Sequence, residues 1–322
     1  MNALVFDGHD LRFDSRYSDP ISEPGEALIR PLKVGICSTD LEICRGYMNF
    51  TGVLGHEFVG IVESVNGENG ADLVGKRVVG AINAVCGSCD MCRRGLITHC
   101  RKRTVLGIDG RDGCFAERFT LPTANLVVVP DHVDDDQAVF AEPLAAALHA
   151  ANQIQVEGKP YITILGDGRL GLLCAQVFAP LNASVRLIGK HTDKMDLCEK
   201  WGIRHRSIDD IGRRADQDVV VDCTGSASGF DLAMQLVRPR GTIILKTTVA
   251  PTERVVDLSP IVVNEIEVVG SRCGNMTQAV NLLARQTIDV VSLITRRFKL
   301  TDGVDAFRAA AQSDSIKILM EW

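Results

Sequence analysis

The run YITILGDGRLGLLCAQVFAPLNASVRLIG, from Tyr161 to Gly189, limits the fold more than any other part of the chain. It reads strand, glycine turn, helix, strand. A short apolar run ahead of the glycines suits a parallel strand buried on both faces. The same alternation continues through DVVVDCTG, SGFDLAMQLV, GTIILKTT and EIEVVGSR. This β-α succession implies a doubly wound parallel sheet, an α/β fold. The earlier chain has a different texture. EALIRPLKVGIC, HEFVGIVESV, GKRVVGAI and FAERFTLP mix β-formers with glycine, proline and charge. That mixture predicts an antiparallel barrel or sandwich. The change falls near Glu142, where PLAAALHAANQI takes up helical spacing. After Cys273 the chain reads as a helix, MTQAVNLLARQT, and then a mixed tail.

Gly166-Asp167-Gly168-Arg169-Leu170-Gly171 matches G-x-G-x-x-G in the required context, after a strand and ahead of a helix. The first glycine allows the tight turn, the second lets pyrophosphate approach, and the third lets helix and strand pack. Phosphates would sit on the helix N-terminus, where N–H groups lack partners. The alternative is a glycine turn serving another ligand. NAD enzymes usually end the next strand in Asp or Glu, which binds the adenosine ribose. Here the residues are Gly189-Lys190-His191. With no carboxylate to repel a 2′-phosphate and a cation to pair with it, the reading leans to NADP(H) over NAD(H). The other reading makes Lys190 a solvated lysine and gives the ribose to Asp193. Thr247 and Arg272 follow later strands and fall at the carboxyl edge where ligands bind.

Cys86, Cys89, Cys92 and Cys100 are spaced C-x2-C-x2-C-x7-C. Four thiolates this close together suit one tetrahedral zinc. Such a site is closed and structural, so a catalytic metal must lie elsewhere. Two disulfides or a redox dithiol are the other readings. Eleven cysteines with no export signal point to a reducing compartment, the cytoplasm, where clustered thiols are metal ligands first. The 322 residues suit one large domain or two ordinary ones. A net charge of -6 without a basic tract disfavours nucleic acid, and no apolar run is long enough for a membrane span.

Cys37, His56 in a Gly-His-Glu triplet, Glu57 and Glu142 supply a thiolate, an imidazole and carboxylates. Such a set can bind zinc and leave a position for substrate. Spacing alone does not single it out, because lone Cys and His residues are usually core residues. The order of motifs is more specific: Cys-x-Thr-Asp, Gly-His-Glu, the four cysteines, Glu-Pro, then the glycine fingerprint. In this order, across essentially its whole length, the chain resembles the zinc-containing medium-chain dehydrogenases, which act on alcohols, polyols, threonine and glucose.

The resemblance implies a GroES-like catalytic domain, residues 1–142 and 276–322, interrupted by a Rossmann domain, 143–275. It implies Cys37 and His56 as catalytic zinc ligands, with Glu57 binding or lying beside the metal and Glu142 as a further ligand, so two zincs per chain. Asp40 resembles the carboxylate that orients the zinc-bound histidine. Thr39 matches the proton-relay hydroxyl. Thr224 and Gly225 would line the adenine side, and Arg272 would meet cofactor phosphate or a neighbouring subunit. The substrate would be a small alcohol, polyol or sugar, and the assembly a homodimer or homotetramer. Ser38 stands where many relatives have glycine, and Glu42 where many have histidine, which brings CSTDLEI closer to the glucose dehydrogenase branch. Glu42 is either a substrate or relay group or a surface carboxylate. Two other functions remain on this scaffold: a zinc-independent enone or quinone reductase, and a non-enzymatic nucleotide sensor. The ligand set argues against the first, and the intact relay against the second.

Overall fold

The computed structural model describes residues 1–212, 214–248 and 257–322. The chain divides into two compact units, Met1–Glu142 with Asn275–Trp322, and Pro143–Gly274.

The first unit is mainly β. Its largest sheet has seven strands. At its centre Glu26–Gly35 pairs antiparallel with Glu57–Val65 on one side and Lys317–Glu321 on the other. Glu26–Gly35 alternates buried and more exposed residues along much of its length, the period-two pattern of a strand with one core face. Its pairing shifts register between Pro31 and Lys33. Proline has no N–H for the ladder, so a bulge there costs little. The register places Gly35 opposite Glu57 and opposite Leu319. Segments far apart in sequence therefore meet at one end of the sheet, beside the turn that carries Cys37. Two small three-stranded sheets complete the unit.

The second unit is a six-stranded sheet whose described strands pair in parallel. In chain order its strands are Tyr161–Leu165, Ser184–Gly189, Arg204–Ser207, Gln217–Asp222, Val237–Leu245 and Glu267–Gly270. In space they run third, second, first, fourth, fifth, sixth. This is the Rossmann order, whose ligand crevice lies at the switch between the first and fourth strands. The inner strands are apolar on both faces, with Ile162, Ile164, Val220, Val221, Ile243 and Ile244 all inaccessible.

Two elements depart from the sequence reading. Arg204–Ser207 is a strand that hydrophobicity did not announce. It is an edge strand, and its residues alternate between exposed and half-buried, so it needs no apolar run. The fifth strand starts at Val237, ahead of the apolar GTIIL, with a register break against Gln217–Val219.

Candidate metal centres and nucleotide edge

Cys37 is the N-cap of the short helix Ser38–Ile43. The Asp40 carboxylate reaches back to that cap, its Oδ2 accepting the Cys37 N–H at 2.7 Å. This capping box fixes the turn, so the thiol emerges in one direction. Asp40 is fully buried, and its other oxygen lies 3.2 Å from Nδ1 of His56. With Nδ1 facing that carboxylate, Nε2 is the histidine nitrogen left for a ligand role. Cys37 Sγ, a His56 ring nitrogen and a Glu57 oxygen all lie within 4.8 Å of one another. Thr39 is half-buried beside them, its hydroxyl 3.6 Å from Cys37 Sγ. Burial alone would push His56 below the usual histidine range. The Asp40 carboxylate and the Cys37 thiolate outweigh it and hold the ring well above that range. A thiolate and carboxylates grouped in a dry pocket attract a cation. A soft thiolate with imidazole and carboxylate is a donor set that fits zinc, and three protein donors leave a coordination position open.

Sequence reasoning missed one residue here. Lys317, on the strand Lys317–Glu321, is 1% exposed and ion-paired with Glu57. Its ammonium also donates to the carbonyl of Ile36 at 3.3 Å and lies 5.7 Å from the Phe140 ring centroid. Burial pulls it down to about 8, although Cys37 and Asp40 pull the other way. The available signal was one lysine inside the otherwise apolar run IKILM.

Glu142 lies in the first turn of the helix Ala141–Asn152, half-buried, and is not part of the close group of Cys37, His56 and Glu57. Glu42 is held by Arg45 at 2.6 Å, on the helix surface.

The four cysteines converge. Sγ separations are 3.5 Å for Cys89–Cys92, 3.8 Å for Cys89–Cys100 and 3.5 Å for Cys86–Cys100. A tetrahedron with metal–sulfur bonds of about 2.3 Å has edges of ~3.8 Å, so the spacing suits zinc. A disulfide requires about 2.05 Å, and all four are free thiols. Backbone N–H groups of Cys86 and Lys102 point at Cys100 Sγ, each at 3.4 Å. Hydrogen bonds from the Ser88 backbone and hydroxyl, then from the Cys89 backbone, draw the Cys86 thiol down to about 6. Cys92 goes the other way, pushed up to about 12 by burial and then by its hydrogen bonds with Cys89 and Cys100.

In the second unit, Gly168 caps the helix Arg169–Phe178 with no side-chain hydrogen bond, which leaves first-turn N–H groups for phosphate. Arg169 and Leu170 open that helix. A Cβ at Gly171 would collide with the Gly166 carbonyl, so only glycine allows this approach of helix to strand. Thr224 bonds Asp222 through both its N–H, at 2.9 Å, and its hydroxyl, at 2.7 Å. Gly225 N–H donates to Thr247 Oγ1 at 3.0 Å, so these two residues meet at the carboxyl edge. Arg272 is exposed there, and its carbonyl accepts from Lys246 at 2.5 Å. The expectation that no carboxylate stands at the end of Ser184–Gly189 is corrected. Asp167, from the preceding glycine turn, accepts the N–H groups of Lys190 and His191 there. The sequence places Asp167 one strand too early for that role to be read, because the two strands are neighbours only in space.

Known proteins match this chain in sequence and fold. Residues 23–131 match the alcohol dehydrogenase GroES-like domain, and residues 170–287 match the zinc-binding dehydrogenase domain. An L-threonine 3-dehydrogenase of Chelativorans sp. is 30% identical over 93% of this chain and 92% of its own. A D-arabitol-phosphate dehydrogenase of Enterococcus avium is 30% identical over 98% of this chain and 95% of its own. A zinc-binding dehydrogenase of Sinorhizobium meliloti, solved bound to NADP, superposes with a TM-score of 0.90 at 27% identity, covering 100% of this chain and 99% of that one. The chain belongs to the zinc-containing medium-chain dehydrogenases, with a GroES-like unit and a Rossmann unit. By class it is an NAD(P)-dependent alcohol or polyol dehydrogenase. Among the described residues no helix is long and apolar enough to cross a membrane.

Proposed function

We propose that the chain oxidises a hydroxyl of a small polyol, sugar or alcohol, or reduces the matching carbonyl, at a zinc held by Cys37, His56 and Glu57. A second, structural zinc is held by Cys86, Cys89, Cys92 and Cys100. The observation that carries the reading is the convergence of Cys37, His56 and Glu57 donor atoms within 4.8 Å beside the Thr39 hydroxyl. Bound zinc supplies Lewis acidity towards the substrate oxygen, and the nicotinamide supplies the hydride acceptor. The chain's own residues do the rest. Asp40 fixes the tautomer and direction of His56. Thr39 takes the hydroxyl proton and passes it outward. Lys317 balances the charge of Glu57 and keeps that carboxylate in place. Glu142, at the start of the helix Ala141–Asn152, would supply a further carboxylate to the bound metal.

The cofactor reading favours NADP(H), on the strength of Lys190 at the adenosine end and of the NADP-bound relative. The acting assembly is a homodimer or homotetramer. The edge strand Glu267–Gly270, with Val268 37% and nearby Val262 76% exposed, supports self-association there. The test is a panel of sugars, polyols and simple alcohols with each cofactor, following nicotinamide absorbance before and after chelation. Turnover that survives removal of the metal from a folded chain would point to the zinc-independent reductase instead.

A further inference from the structure

The outer edge of the parallel sheet carries an unbalanced group of charges. Register sets Arg186, in the strand Ser184–Gly189, beside Arg204 of the edge strand Arg204–Ser207, and Ile188 beside Arg206. Residues paired in this way share one face of a sheet, as do residues two apart on a strand. On that face Leu165, Ile188 and Val220 share a core with Leu232, Ala233 and Leu236. Towards the edge, arginines replace such apolar side chains. His205 points the other way and meets Glu199 at 3.3 Å. Arg186 is half-buried and held in place. Its Nε donates to Thr163 Oγ1 at 2.9 Å, and that hydroxyl donates to Gln217 Oε1 at 2.6 Å. Thr163 and Gln217 are both buried, and Gln217 Nε2 donates in turn to Asp216 at 2.5 Å. These bonds fix the guanidinium through Nε and leave its two Nη groups as a fork. Burial lowers Arg186 below its ordinary value; Asp216 pulls it back up, and Arg206 pushes it further down. Arg204 and Arg206 are exposed, and among the described residues neither side chain has an ion pair or hydrogen bond. Like charges side by side on a sheet cost free energy. Three arginines against one carboxylate leave a surplus of positive charge.

We propose that Arg186, Arg204 and Arg206 form a binding site for a phosphate group, separate from the glycine turn. A guanidinium fork matches two phosphate oxygens, and arginine serves this geometry better than lysine. A dianion between the three side chains offsets their mutual repulsion. Arg186 stands three residues ahead of Gly189, about 10 Å back along the strand, so a dinucleotide lying across the carboxyl edge leaves this face open. The occupant is inorganic phosphate or the phosphate ester of a small metabolite. Thr163 and Gln217 are positioning residues, acting through Arg186.

The test is calorimetric titration of the full-length protein, saturated with NADP+, at constant ionic strength. Sodium phosphate and glycerol 3-phosphate are the two probes, and the tighter of them tells free ion from ester. Wild type is expected to bind at least one. Arg204→Ala and Arg206→Ala should each weaken that binding about tenfold, the scale of one charged hydrogen bond. Both side chains are exposed, so the variants should fold. Without phosphate, Arg204→Ala should melt on the order of 1 °C above wild type, since a like charge has gone. Saturating phosphate should reverse that order, because only wild type gains the full stabilisation of its ligand. An arginine that merely packs on the sheet would instead lower the melting temperature in both conditions. Phosphate affinity unchanged in both variants overturns the inference. So does phosphate binding that vanishes once NADP+ is added, which would give the anion to the glycine turn alone. A wild type that fails to bind NADP+ would break the cofactor reading; the two variants, titrated without it, would still decide this one.

Discussion

The two candidate metal centres of this molecule are assembled in opposite ways. The cysteine lobe draws all its ligands from Cys86 to Cys100, one short stretch that bends back on itself, with Cys86 exposed and only Cys100 buried. The Cys37 centre gathers a helix cap, a turn and the starts of two strands, with Lys317 arriving from the far end of the chain. His56, Glu57, Asp40 and Lys317 are all buried. Four sulfurs close one site, whereas three mixed donors leave the other open. A local, closed site can hold a lobe together. An open site needs the whole sheet behind it, since its geometry must persist while one coordination position changes hands.

The largest effects should come from the open centre. Cys37→Ala or His56→Ala should remove one of two zincs, counted by atomic emission, and cost about a thousandfold or more in kcat/KM. Two zincs remaining in either variant would remove the contrast altogether. Lys317→Met should remove the ammonium that accompanies the buried Glu57 carboxylate and destabilise the metal-free chain by about 3–5 kcal/mol in urea unfolding. Adding Glu57→Gln should restore most of that loss; a double variant no better than the single would show that Lys317 acts through packing alone.

The lobe should respond differently. Cys100→Ala is expected to lower the melting temperature on the order of 10 °C through loss of its zinc, while kcat at low temperature stays near wild type. A proportional fall in kcat would mean that the two sites are not separable. Thr39→Val should keep both zincs and lower kcat about a hundredfold, the range of one positioned proton-transfer group. The smallest change concerns Asp90, which fastens the lobe through Arg101 at 2.8 and 2.9 Å. The Arg101 hydrogen bonds lead in holding this acid below its ordinary 3.8. Its contribution is therefore present above 3.8 and lost as pH falls through the lower folded value. Asp90→Asn should flatten that part of the acid-melting profile and leave neutral pH almost unchanged.

The same contrast explains what the sequence disclosed. Cys86–Cys100 and Gly166–Gly171 were legible because their chemistry is local: spacing alone brings four sulfurs together, and a strand, three glycines and a helix suffice for a phosphate turn. Cys37 and His56 were legible only through the order of several motifs. Lys317 was not, because its partner Glu57 meets it through strand register, and nothing near residue 317 hints at a carboxylate. Asp167 was read as part of the glycine pattern, and its place at Lys190 and His191 depends on two parallel strands lying side by side. The strand Arg204–Ser207 was hidden because a sheet edge can be made of charged residues.

Lys317 also fixes an order of events. Its ammonium bonds Ile36 across 281 residues, so the closing contact of the open centre spans nearly the whole chain. During synthesis the ribosome delivers Cys37, His56 and Glu57 early, then the entire nucleotide-binding unit, and only afterwards the strand with the counter-cation. Until residue 317 emerges, the Glu57 carboxylate has no ammonium to accompany it into the core, and the sheet lacks a strand beside Glu26–Gly35. The four cysteines of the lobe are all present once Cys100 has emerged; the Cys37 centre has its counter-cation only once residue 317 has emerged.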